Sequence, residues 1–315
     1  MLSRIKSWFT SGPDEEGGRP LERLGDYRIF NVIGTGAMSE VKRASHKKTF
    51  QTVAIKILSP DSRRIIRKIE SQYRNLTEGE IGMLFDHPNI IKVFGWGRDG
   101  SREFIVMEYF DGVLMRDLLH EGSFNPKQNR IDMLLKLASA LDHIHSKGIV
   151  HRDFCPRNVL VNSAGEVKVF DFGLSVELEI VKRTRGNRTG TLAYMAPELI
   201  KRQETDQRCD IYALGITMYE MFAGQRPYIG IDNFARLMQV MNSLPDPPSS
   251  YNKNVSPELE RIILKAIEKD PAERYLNVGE ILADLDPIVD KERDKWNVSP
   301  PTPDTSIFKP EDMSA

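Results

Sequence analysis

The chain has 315 residues, enough for one large core or two lobes sharing a cleft, so the fold assigned to it must use most of its length. Its 44 Lys and Arg meet 45 Asp and Glu for a formal charge of -1, which excludes a global field favouring nucleic acid or an anionic membrane. The two cysteines, Cys155 and Cys209, exclude a disulfide framework, lack metal-ligand spacing and suit a reducing cytosol; with no run near eighteen apolar residues, no membrane span is expected.

The opening MLSRIKSWF is too short and interrupted for a signal-peptide core and reads as a frayed terminus, and residues 11–20 are rich in Gly, Pro and acid. From Asp26 to Leu58 the text YRIFNVIG, SEVKRAS and TVAIKIL predicts three strands in a meander. After Pro60 a charged stretch with apolar residues at helical spacing runs through Leu84, followed by HPNIIKVFGW and REFIVMEYF as two more strands. Beyond Asp111 the period turns helical, most clearly at Leu134, Leu137, Leu141 and Ile144, and again at Ile211, Leu214, Met218 and Phe222. Residues 287–315 hold NVSPPTPDTS and few large apolar side chains, so a disordered tail is expected there and a flexible flank over 1–24, with the folded unit spanning 25–286. No repeat at a fixed period is visible. The pattern is α+β: a sheet-rich front and a helical back.

Gly34 and Gly36 sit between two strands with Val41 five residues on, so they are not the strand-to-helix turn of a dinucleotide fold. Glycines there either make a hairpin or let backbone N–H groups approach phosphate oxygens. Lys56, in VAIK, interrupts an apolar strand; such a lysine is an edge residue, or it is buried and needs an anionic partner. His151-Arg152-Asp153 follows the long helix, with Asn158 five residues after Asp153 and Asp171-Phe172-Gly173 thirteen residues after Asn158. Ala196-Pro197-Glu198 lies downstream.

HRDxxxxN, DFG, GxGxxxxV, VAIK and APE in this order resemble the eukaryotic-type (Hanks-type) protein serine/threonine kinase family, over roughly residues 25–285. The compact ending KDPAERY and its flanks resemble bacterial members. The resemblance implies a bilobal protein-kinase-like fold: a small N-lobe over 25–108 with an antiparallel sheet and one helix, and a larger, mainly helical C-lobe over 112–286. It implies ATP and Mg2+ as cofactors and proteins bearing Ser or Thr hydroxyls as substrates, in the cytoplasm. By the same resemblance Lys56 contacts the α- and β-phosphates and is held by Glu78, with Glu80 as runner-up because Glu78 puts Gly82 where the family usually has a large apolar residue. Asn158 and Asp171 would bind the metal, Asp153 would orient the hydroxyl and take its proton, and Thr191 would face Asp153. Ile33, Gly34, Gly36, Val41 and Ala54 above, Leu160 below, Met107 behind and the backbone from Glu108 to Phe110 match the family's nucleotide slot. His151 and Phe172 are expected to pack, Glu198 to pair with Arg274, and Asp210 to prop the catalytic loop.

Two departures matter. The lysine that serine/threonine members carry two residues after the catalytic Asp is here Cys155, while Arg157 resembles the tyrosine-kinase loop; Gly190-Thr191-Leu192-Ala193-Tyr194 favours the serine/threonine type. Rival readings are a weak or pseudokinase scaffold, against which stand Lys56, Asp153 and Asp171, and a small-molecule kinase, against which stands the APE segment. Arg152 and the basic segment around Thr184 and Thr189 suggest regulation by phosphorylation.

Overall fold

The β-branched front half forms β1 (Glu22–Leu24), β2 (Tyr27–Thr35), β3 (Ser39–His46) and β4 (Thr52–Leu58), an antiparallel meander. Helix α1 (Glu78–Met83) precedes β5 (Val93–Asp99) and β6 (Arg102–Glu108), and the sheet runs β1-β2-β3-β4-β6-β5. This computed structural model describes residues 22–36, 39–58, 76–99, 102–125, 128–183, 186 and 188–296. The expected N-terminal flank through 21, most of the charged stretch after Pro60, Thr184, Arg185 and the tail from 297 lie outside the described residues.

Strand alternation decides which residues meet the cleft. On central β4, Val53, Ile55 and Ile57 point into a core with Leu24, Ile29, Ala44 and Val106. Ala54 points the other way, towards Ile33 and Val41, and period two puts Lys56 on that same face.

The back half is helical around a second, larger core. After β7 (Val113–Leu114) come α2 (Met115–Glu121) and α3 (Arg130–Ser146), whose Leu134, Leu137, Leu141 and Ile144 are fully buried. Short strands β8 (Ile149–Val150), β9 (Val159–Val161), β10 (Val167–Val169) and β11 (Val176–Glu177) carry the loops between them. Helices α4 (Leu178–Val181), α5 (Pro197–Ile200) and α6 (Arg208–Ala223) follow, the last buried along nearly its whole length. Then come α7 (Asn233–Asn242), α8 (Pro257–Ala266), α9 (Val278–Leu285) and α10 (Val289–Lys295). The α+β bilobal architecture is thus present: a small antiparallel N-lobe sheet with its helix, and a helical C-lobe.

Both expected edges of the folded unit shift outward. β1 begins before residue 25 and buries Leu24 to 1 % exposure, because Glu22–Leu24 folds back on β2 across the Gly25 turn. At the other end, residues 289–296 are not a disordered tail: α10 docks on α3 through Arg293–Asp132 (2.8 Å) and through the Asn129 amide donating to the Arg293 carbonyl (2.9 Å). Trp296 closes that contact edge-on to Phe222, with the Arg130 guanidinium over its ring. The lobes are stitched where Ile91 N–H donates to Val169 O and Val169 N–H to Asn89 O, both at 2.8 Å.

Candidate active site

Lys56 reaches the cleft from β4 and meets two carboxylates: Glu78 Oε1 at 2.6 Å and Asp171 Oδ1 at 2.8 Å. Burial alone would lower the Lys56 ammonium, but Asp171 and then Glu78 outweigh it and hold its pKa above the ordinary lysine value. Burial likewise opposes ionisation of Asp171, yet Lys56 and the Gly173 N–H keep it below the usual carboxylate range. Lys56 and Asp171 are therefore both charged at neutral pH. Glu80, the alternative partner, is occupied elsewhere: its Oε2 accepts from the Thr77 N–H at 2.7 Å while the Thr77 hydroxyl accepts from the Glu80 N–H, a reciprocal cap on α1.

The loop after β8 is bent by a left-handed residue, Arg152 (φ 67°), which an L side chain adopts only under constraint. Asp210, at the start of α6, supplies that constraint. Its carboxylate accepts from the His151 N–H (2.7 Å) and the Arg152 N–H (2.8 Å) and lies 2.9 Å from His145 Nε2. Asp153 follows at once. Its Oδ2 accepts from the Asn158 amide at 2.9 Å, which also donates to its carbonyl (2.8 Å), and its Oδ1 accepts from the Thr191 N–H at 2.6 Å. Thr191 therefore meets Asp153 through its backbone, while its hydroxyl lies 3.5 Å from the buried Cys155 thiol. Burial, reinforced by Asp153, pushes that thiol far up, so Cys155 is neutral. Arg157 lies exposed on the turn formed by residues 156–158.

His151 and Phe172 pack together: the Phe172 ring lies tilted between His151 (5.3 Å) and Phe85 (4.8 Å). Asp171 (φ 66°) is a second left-handed residue, aspartate being among the side chains that tolerate this backbone. Next to these charged groups lies an apolar slot that gathers Ile33, Val41, Ala54, Phe110 and Leu160, with Met107 packed against it. Glu108 opens the segment between the lobes, its N–H on Lys92 O and its carboxylate 2.6 Å from Lys168 Nζ. Gly34 pairs with Val41, and Gly36 N–H donates to Ser39 O at 2.8 Å. A Cβ added to Gly36 would meet no described protein atom closer than 3.7 Å and its φ is not positive, so among the described residues nothing demands glycine there.

Residue-by-residue reading of the sequence missed Ile91, Leu114 and Phe170 in the slot, Phe85 on Phe172 and His145 on Asp210. Phe170 could have been found from its place next to Asp171. The others depend on which strands and helices face one another. Far from the cleft, Arg274 donates to both Glu198 oxygens, at 2.8 and 2.7 Å, fully buried. Among the described residues no helix is long and apolar enough to cross a membrane.

A lysine–glutamate–aspartate cluster beside an apolar slot, below it an aspartate clamped by an asparagine, and the buried Glu198–Arg274 pair are what the protein kinase domain is built around, and the family profile for that domain matches residues 27–284. The chain belongs to the protein kinase domain family. Among curated proteins it is 33 % identical over 267 residues to the serine/threonine-protein kinase PknB of Mycobacterium leprae, covering 82 % of this chain and 42 % of that protein. It is 34 % identical over 273 residues to a probable serine/threonine-protein kinase of Streptomyces coelicolor (84 % and 40 %) and 34 % over 266 residues to one of Clostridium perfringens (83 % and 38 %). The chain thus spans about two fifths of the length of the curated relatives it matches.

Proposed function

We propose that this chain is a serine/threonine protein kinase that transfers the γ-phosphoryl group of ATP to protein hydroxyls. The observation that carries the reading is the Lys56–Glu78–Asp171 cluster beside the apolar slot, with Asp153 fixed by Asn158 and Thr191. ATP with Mg2+ would supply the transferable group and neutralise its charge. The donor set suits both: Asp171 and Asn158 offer hard oxygen atoms, Lys56 offers a paired cation, and Gly36 sits where a Cβ has room but a phosphate would need it. Ile33, Val41, Ala54, Met107 and Leu160 would enclose the base, with Glu108 and Phe110 presenting backbone at its edge and Gly34 covering the phosphates.

Lys56, oriented by Glu78, would hold the phosphates of the bound nucleotide. Asp153 would position the substrate hydroxyl and take its proton as the hydroxyl oxygen bonds to the γ-phosphorus and the bond from that phosphorus to the β-phosphate oxygen breaks, releasing ADP. Thr191, joined to Asp153 by its backbone N–H, supports a serine/threonine preference, as do the names of the relatives. The lysine usual two residues after the catalytic Asp has no counterpart in Cys155; Arg157, on the same turn, is the cation assigned to that charge. The presence of Lys56, Asp153 and Asp171 disfavours a pseudokinase scaffold, and the buried Glu198–Arg274 pair disfavours a small-molecule kinase. The balanced net charge gives no reason to expect nucleic acid as a partner, and the free, buried Cys155 and Cys209 fit a reducing, cytoplasmic setting. Arg152 Nη2 lies 3.4 Å from the Thr189 hydroxyl, which supports Thr189 as an autophosphorylation site gripped by that guanidinium.

The test is phosphotransfer from ATP and Mg2+ to protein substrates and to small hydroxylated molecules, with peptide mapping of the enzyme itself. Lys56→Met, Asp153→Asn and Asp171→Asn are each expected to cost about a hundredfold or more in kcat while leaving a folded protein. Wild-type turnover in folded Asp153→Asn would end this reading.

A further inference from the structure

Helix α1 carries two glycines, Gly79 and Gly82, on its buried side, although glycine weakens a helix relative to alanine. Neither has a positive φ, so backbone conformation does not demand them. Space does. A Cβ at Gly82 would stand 2.5 Å from Val93 Cγ2, and one at Gly79 would stand 2.6 Å from both Cβ and Cγ of Trp96. Carbon atoms settle at about 3.5–4.0 Å, so α1 lies as near to β5 as its bare backbone permits. Val93 is β-branched and stiff about χ1, so it has little freedom to turn aside. Glu78, whose carboxylate is 2.6 Å from Lys56 Nζ, immediately precedes Gly79 in the same helix. The column beneath is completed from elsewhere, since Phe85, past the end of α1, supplies the ring that packs on Phe172.

We propose that Gly82, seconded by Gly79, is a positioning residue for phosphotransfer: the missing side chain lets Val93 fill the gap, sets the depth of α1 against β5 and so brings Glu78 onto Lys56. This deepens the kinase reading and rests on it. A methyl group at Gly82 would drive α1 outward by about an ångström, and a displacement of that size at an oriented catalytic group costs up to about a hundredfold in rate.

The experiment compares the full chain with Gly82→Ala, Val93→Ala, the Gly82→Ala/Val93→Ala double variant, and Gly82→Ala on a Glu78→Ala background. Val93→Ala removes Cγ2 and leaves only the Cβ, 3.3 Å from where a methyl group at residue 82 would stand, so the double variant relieves the clash. Gly82→Ala is expected to lower kcat by about tenfold or more, with KM for the protein substrate little changed. The double variant should return to within about threefold of Val93→Ala, and Gly82→Ala should cost almost nothing further once Glu78 is gone, because both act through one contact. A purely structural role would move the melting temperature without that non-additivity. If Gly82→Ala does not fold, Val93→Ile, which enlarges the same contact from the strand side, is expected to depress kcat in its place. Wild-type kcat in folded Gly82→Ala or Val93→Ile, no rescue in a folded double variant, or full additivity with Glu78→Ala would each overturn the proposal. An inactive wild-type chain would instead count against the kinase reading beneath it.

Discussion

Two residues with left-handed backbone, Arg152 and Asp171, flank the site where charge would be transferred. Such conformations cost of order 1–3 kcal/mol and persist only where neighbours over-determine them. For Arg152 the determinant is Asp210, 1 % exposed and bonded to two consecutive N–H groups of the loop. Burial would raise its pKa, but the bond to His145 and the charges around it win, and it stays below the ordinary carboxylate range. A depressed native pKa stabilises the fold above the unfolded-state value, about 3.9, and that contribution is lost as pH falls through the native value. Asp210→Asn is therefore expected to destabilise by about 2–4 kcal/mol at neutral pH, and the gap to wild type should close below about pH 4 in urea titrations. Cys155 carries a different expectation. As a buried neutral thiol it stabilises little developing charge, so Cys155→Ala should keep kcat within about threefold and the native protein should resist iodoacetamide until unfolded.

At the scale of elements, α1 is only six residues long, so its end groups weigh heavily. The Thr77–Glu80 box satisfies two of its orphan N–H groups, and loss of such a cap typically costs about 1 kcal/mol. Because α1 carries Glu78, Thr77→Ala is expected to lower kcat several-fold with little change in melting temperature, and to speed hydrogen exchange at Ile81. The same box bears on what was legible in the sequence. Thr77-Glu78-Gly79-Glu80 is a capping-box text, and a glutamate at its fourth position is already spoken for, which points to Glu78 as the Lys56 partner without any structure. The strands of the meander were equally legible, since their alternation is local. The helix α10 was not, because only three large apolar side chains, Ile288, Val289 and Trp296, mark it in a polar text.

Across the whole molecule, two distant seams hold the cleft in shape without lining it. One is the Arg274–Glu198 pair, with side chains 0 % and 3 % exposed, tying the segment after Thr191 to the region after α8. The other is Trp296, which plugs the base of the C-lobe between Phe222 and Arg130, while Arg130 also covers Phe124. Truncating such a side chain leaves a cavity, so Trp296→Ala is expected to cost about 3–5 kcal/mol in urea unfolding. Below its transition the variant should keep wild-type kcat, since no catalytic group touches that seam; a lost kcat in a folded Trp296→Ala would show that α10 reaches the cleft.

The sequence by itself determined the order of the motifs, which is read directly along the chain, and the parity that turns Lys56 and Ala54 to the same side of β4, which is set by neighbours within a few residues. Only the tertiary structure decided that Lys56 meets Asp171 across 115 residues, that Cys155 is sealed against Thr191, that His145 supports Asp210, and that Gly82 yields its place to Val93. These are contacts between surfaces brought together by burying two cores. Periodicity names the faces that will be buried, but which atoms then touch depends on how closely the packed elements approach.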